Sequence, residues 1–266
     1  MHRRGLIASA GTALFMTTAG CIGSGNGNGN GDDTTPDVLP RVDVSMGTTA
    51  DLAGGSLTLS DPIVQQRVVT EEEVFHTIEQ HDGMQFITLD VTSEVDVAPG
   101  DFALEIDGEL VEPPAQSHAI HPVVRSVEGT GIAIPIETDP VDSVGVAFRP
   151  GTEVQAVWEL SSADLDLIEL VPDPRLFDPV IVEEDGQLAI EVIVVNAGDR
   201  DGPFLALVMP DWVVDLTIPV GFNAPRATMR EELIPLPELG DHSPDDIEFV
   251  EEPRGGDRHI RLTLAD

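Results

Sequence analysis

Three histidines carry the sharpest chemical signal in the sequence. His118 and His121 frame the tetrapeptide His-Ala-Ile-His, a spacing at which two imidazoles can reach one ion, and His76 would complete a three-histidine metal site. Their segment, PPAQSHAIHPVV, is proline-flanked and reads as a loop, so the competing expectation is a pair of solvent-exposed loop histidines. Asp199-Arg200-Asp201-Gly202 brings Asp199 and Asp201 together ahead of a glycine, and Asp164 with Asp166 forms a second such pair; both suit calcium. Neither run continues to a distal bidentate glutamate. Gly-x-Ser-x-Gly, His-Glu-x-x-His, the phosphate-cradling Gly-x-x-x-x-Gly-Lys and the dinucleotide fingerprint are all absent. With 49 acidic residues a paired-carboxylate hydrolase is conceivable, but nothing in the sequence singles out one pair. No catalytic residue is assigned, and no cofactor is expected. Trp158 and Trp212 lie in strand-like runs and read as core anchors; Trp212, following Met209-Pro210-Asp211, is the better placed of the two for recognition.

The elements that must position these residues are strands. Period-two or β-branched runs recur at GSLTLS (55–60), PIVQQRVV (62–69), EVFHTIE (73–79), MQFITLDVT (84–92), FALEIDGELV (102–111), GIAIPIE (131–137), VGVAFR (144–149) and VQAVWELS (154–161). His81-Asp82-Gly83, Pro99-Gly100-Asp101, Asp107-Gly108 and Pro150-Gly151 punctuate them as turns. Two windows compete as helix, 162–171 and 226–233, and neither is long or clearly amphipathic. VPDPRLFDP (171–179) carries three prolines in nine residues and reads as a stiff linker. Seven further strand-like runs follow it, the size of one immunoglobulin-like sandwich. The expected fold is all-β: two tandem antiparallel immunoglobulin-like β-sandwiches, residues 41–171 and 174–266, each long enough for its own core.

The N-terminus reads as an address. Arg3 and Arg4 precede sixteen uncharged residues, Gly5 to Gly20, too short for a bilayer span of ~20 apolar residues. A charged start, a short apolar stretch and small residues before a cleavage point make an export signal over residues 1–20. The adjacent arginines resemble the twin-arginine type, which exports folded proteins. Thr18-Ala19-Gly20-Cys21 resembles a lipobox, which implies cleavage before Cys21 and lipid on its thiol. A plain secretory signal with an incidental cysteine is the alternative. A two-chain lipid would suffice as an anchor, since each buried methylene contributes ~0.8 kcal/mol. With its sole cysteine so committed, the chain has none for a blue-copper centre. Residues 21–40, rich in Gly and Asn and then acidic, form a flexible tether with a reach of roughly 25 Å. The expected location is the outer face of the cell membrane.

Charge describes the surrounding water. The formal charge is −36, and all 13 basic residues are arginine. Such self-repulsion opposes compaction in dilute buffer, whereas at molar salt the Debye length falls to about 3 Å. The acids are scattered through strand-like segments rather than blocked into a tail. Nucleic acid is excluded as a partner, because no region beyond the signal is net positive. The acidic, lysine-free composition resembles haloarchaeal proteins, and the signal with its Gly/Asn/Asp/Thr tether resembles haloarchaeal lipoproteins.

Two internal segments resemble immunoglobulin-like families. In the first half, DGMQFITLDVTSE (82–94) with PGTEVQAVWEL resembles the immunoglobulin-like extracellular domain of prokaryotic lipoproteins. Gly83, Phe86 and Val91 fit its central strand, and Pro150, Gly151 and Trp158 fit its ending; the usual Val-x-Asn is Val91-Thr92-Ser93 here. In the second half, DGQLAIEVIVVNAGDRDGPFLALV (185–208) is similar to bacterial cell-adhesion-related modules, with Asn196 and Gly198 carrying the Val-x-Asn-x-Gly turn. Such sandwiches host many roles. The resulting expectation is a lipid-anchored, non-catalytic binding or interaction module working at molar salt with another surface or membrane protein. The alternatives are a metal- or solute-binding accessory subunit, with His118 and His121 as ligands, and an enzyme.

Overall fold

A computed structural model describes residues 40–72, 75–111, 118–120, 130–213, 216–236, 239, 242–250 and 259–265. Arg3, Arg4, Cys21 and His121 lie outside the described residues.

The strand-like runs of the first half form two sheets. One is ordered β1 (Val42–Ser45), β12 (Ala156–Glu159), β11 (Val144–Phe148), β7 (Phe102–Ile106), β8 (Glu109–Val111). The other is ordered β2 (Thr49–Leu52), β3 (Gly55–Gln65), β6 (Met84–Ser93), β10 (Thr130–Glu137), β9 (His118–Ile120), β4 (Val68–Glu72), β5 (Phe75–Glu79). Within them β7, β11 and β12 correspond to strands C, F and G of an immunoglobulin sandwich, and β3, β6, β10 and β9 to A, B, E and D. Alternation supplies the core: Leu57, Leu59, Ile87, Leu89, Ile132 and Ile134 meet Phe102, Leu104, Val146, Phe148 and Trp158 across the layer. Trp158 is fully buried and its Nε1 donates to the Thr48 carbonyl at 2.8 Å, so it is a core anchor.

The second half also has two sheets, with fewer strands and a different strand order. β13 (Pro174–Glu184), β14 (Gln187–Asn196) and β17 (Met229–Pro235) form one sheet; β16 (Ile218–Ala224), β15 (Gly202–Pro210), β19 (His259–Leu264) and β18 (Ile247–Phe249) form the other. β19 lies parallel to β15 and antiparallel to β18. Leu176, Ile190, Val192, Val194, Phe204, Ala206 and Leu262 are among the side chains of a separate core.

Three sequence readings are corrected. The proline-rich 171–179 is not a linker beyond Asp173: β13 begins at Pro174 and runs through Pro179. It can do so because β13 is an edge strand and its register shifts between Phe177 and Val180, at Asp178-Pro179, where a missing N–H costs no ladder bond. The break between 60 and 62 is likewise bridged. β3 continues through Asp61-Pro62, with its register shift between Ser60 and Ile63. Asp61 and Asp178 both take positive φ, 49° and 43°, so β3 and β13, the long early strand of each half, carry the same Asp-Pro bulge. Third, His118–Ile120 is a strand rather than a loop, paired with both β10 and β4. Of the two helix candidates, 162–171 contributes the single turn α1 (Ser162–Leu165), while Met229–Pro235 within and beyond the other is strand.

Leu39–Asp266 forms one compact unit. A small apolar cluster joins its halves, with Val69 and Ile78 against Leu205, Leu207 and Met209.

Candidate functional site

A cleft of about 480 Å³ opens at one end of the first sandwich. The β7–β8 hairpin, the adjoining ends of β6 and β10, and the loop leading to β11 line it. Its floor is apolar, built from Met84, Leu104, Ile106, Val111, Pro135, Ile136 and Val141. Asp107, Glu109, Glu137 and Asp139 are exposed at its edge. Local chemistry holds this frame in place. Asp107 and Gly108 take φ of 52° and 82° between paired Ile106 and Glu109, the two-residue turn that Asp-Gly favours. Asp107 Oδ1 then accepts the backbone N–H groups of Asp142 and Ser143 at 3.0 and 2.9 Å, and the Asp107 N–H donates to the Ser143 carbonyl at 3.1 Å. The hairpin and the opposite loop are therefore fastened to each other, which fixes the mouth of the cleft. The Asp107-Gly108 turn was legible in the sequence; the cleft was not, because it needs both sheets.

The structure does not bring His76 and His118 together. β4 lies between their strands β5 and β9, which puts the two backbones about 10 Å apart. They also project from opposite faces. His118 is in register with Ala133 and faces Phe86 (ring centroids 6.5 Å), whereas His76 shares the face of Ile78 and hydrogen-bonds Thr217 Oγ1 through Nδ1 at 3.0 Å. Phe86 is also approached by His81, whose ring lies 5.6 Å from it on centroids. Nε2 of His81 and Nε2 of His118 are both buried without a hydrogen-bond partner. Among the described residues no three His, Cys, Asp or Glu side chains are grouped to hold a metal ion.

One carboxylate of each candidate calcium pair has structural work. Asp164 closes a capping box on α1, its Oδ2 accepting from Ser161 N–H and Oγ–H. Asp201 Oδ1 accepts the Arg226 backbone N–H at 2.6 Å, and Asp199 donates its N–H to the Val171 carbonyl. Sequence reasoning passed over the residue between them. Arg200 Nη2 donates to the Val64 carbonyl and, at 2.7 Å, to Gln85 Oε1; Nε donates to the Leu170 carbonyl at 2.6 Å. Gln85 is fully buried and donates in turn to the Ile168 carbonyl. Burial lowers the Arg200 pKa to about 10, which still leaves it charged at neutral pH. An arginine flanked by two aspartates gives no sequence sign of such a clasp. Beside it, buried Asn196 saturates its amide: Oδ1 accepts from Asp173 and Gly198 N–H, and Nδ2 donates to the Arg200 and Ala224 carbonyls. The Val-x-Asn-x-Gly resemblance thus falls on a folding knot.

Trp212 is half-buried against the second core, its ring edge-on to His242 with centroids 5.6 Å apart. A shallower hollow of about 370 Å³ lies on the β13-β14-β17 sheet, lined by Val182, Glu184, Glu191, Glu231, Glu232 and Leu233. There a hydrogen bond that protonated Glu191 donates to the Glu231 carboxylate raises the Glu191 pKa. No helix among the described residues is long and apolar enough to cross a membrane.

Comparison of the chain with protein-family models, with curated proteins and with solved structures finds no match.

Proposed function

We propose that this chain is a non-catalytic binding module held at the outer face of the cell membrane by lipid on Cys21, and that the cleft is where it meets its ligand. The observation that carries the reading is the cleft itself: an apolar floor within a frame in which Asp107 fastens the β7–β8 hairpin to the loop before β11. Ligand sites are concave, apolar and largely preformed, with a few polar groups at the edge. The all-β scaffold suits that role, because two sheets with their own packed core keep a site at their end in one geometry. The twin-arginine signal, the tether and the acidic composition support a folded protein working in molar salt outside the cell.

Two variants test it. Cys21→Ser releases the protein into the medium; retention in the membrane overturns the anchor. Val111→Arg places a long cation across the cleft, and whatever co-purifies with the full chain from native membranes in molar salt is lost. Unchanged co-purification overturns the cleft as the binding surface.

A second reading, a metal- or solute-binding accessory subunit, draws on the buried Nε2 atoms of His81 and His118 beside Phe86. It predicts stoichiometric zinc in the purified protein that His118→Ala removes; wild-type protein that takes up no zinc in titration ends that reading.

A further inference from the structure

We propose that the cleft binds a small organic cation with an apolar body, such as an alkylammonium or quaternary ammonium compound. This rests on reading the cleft as the ligand site and adds the chemical class of its occupant.

Two properties of the lining select that class together. The first is the floor. Leu104, Ile106, Ile136 and Val141 offer a hydrated inorganic ion nothing, and reward a ligand only for apolar surface taken out of water. The volume of about 480 Å³ falls within the ~300–1,000 Å³ range of small-molecule sites. The second is the sign of the edge. Asp107 and Glu109 come from the β7–β8 hairpin and Glu137 and Asp139 from the end of β10 and the residues after it, and no arginine or histidine is among the described lining residues. Among the described lining residues an anionic head group would meet carboxylates as the charged groups. A cationic one finds them on both sides, set over a floor that lowers the local dielectric.

Carboxylates cover much of this chain, so acidity by itself selects no site. At molar salt the Debye length of about 3 Å also removes steering from a distance. What survives is direct contact, and contact matters most where a ligand is already held by its apolar body. The roles of the four acids differ accordingly. Asp107 spends Oδ1 on the frame, while Glu109, Glu137 and Asp139 stand exposed at the mouth, where a head group would sit.

The experiment uses the full chain in molar KCl and three probes of one chain length: hexyltrimethylammonium, hexanol and hexanoate. Methyl NMR shifts at Ile106, Val111 and Ile136 report occupancy. The expected result is saturable binding of the cation, weaker binding of hexanol and none of hexanoate. The double variant Glu109→Gln, Glu137→Gln weakens the cation about fivefold and leaves hexanol unchanged. Equal affinity for cation and alcohol, an unaffected double variant, or a preference for hexanoate overturns the cation assignment while leaving the cleft as a binding site. An absence of shifts at these methyls with all three probes overturns the cleft reading as well.

Discussion

Asn196 and Arg200 show how much a few polar side chains decide here. Asn196 is fully buried, and all four of its hydrogen-bonding positions are used on backbone groups. Asn196→Ala leaves two N–H groups and two carbonyls to find other partners, and each unsatisfied buried group costs about 1–3 kcal/mol. We expect a loss of about 3 kcal/mol or more, read as a lower denaturant midpoint with unchanged slope in molar salt. Glu191 gives a prediction of opposite kind. Its carboxyl is raised because Glu231 shares a hydrogen bond with it, then through desolvation and the neighbouring charge. A raised folded-state pKa contributes stability below the unfolded value, and that contribution is lost as pH rises through the folded value. Glu231→Gln removes the shared proton and the like charge, so carboxyl-carbon NMR titration should return Glu191 to the ordinary glutamate range. An unmoved titration midpoint would show that Glu231 is not the cause.

At the scale of elements, periodicity located most strands and missed what interrupts or joins them. The β-branched runs at 84–92, 102–111, 131–137 and 144–149 became β6, β7 with β8, β10 and β11, because alternation describes a half-buried strand whatever its partners. Asp61-Pro62 and Asp178-Pro179 misled for one reason. Proline forbids a central ladder position, but an edge or a bulge absorbs it, and edge status is a property of the sheet. The glycine of Val-x-Asn-x-Gly is explained by close approach. A Cβ on Gly198 would lie 2.3 Å from the Asp173 backbone nitrogen and 2.4 Å from the Val171 carbonyl oxygen. Gly47, at φ +79°, has open space around it and carries conformational strain alone. Thermal melts should therefore separate the two: Gly47→Ala costs about 1 kcal/mol, whereas Gly198→Ala, blocked by backbone on both sides, costs several. Equal losses would refute the close-approach explanation.

For the whole molecule the decisive feature is the joint. Arg200 of the second half reaches the Val64 carbonyl and Gln85 of the first, and the cluster around Val69, Leu205 and Leu207 packs alongside. Arg200→Met keeps the stem but strands Gln85 Oε1 and two carbonyls. Calorimetry in molar KCl should show the single cooperative transition of the wild type split in two; one unsplit transition would mean that the apolar cluster suffices. Repeating the scan at lower salt should bring the wild-type midpoint down, since 49 acids against 13 bases repel once screening is withdrawn. By itself the sequence determined the all-β class, the Asp107-Gly108 turn and the acidic character, because each rests on local alternation, on two residues' backbone preference or on a count. Tertiary structure alone decided that His118 packs on Phe86, as His81 does, and lies apart from His76, that Arg200 clasps the halves, and that a cleft with an acidic edge opens beside Ile106. Those outcomes depend on which strands become neighbours and which faces they share, and strand order is set by packing across the chain rather than by any local run.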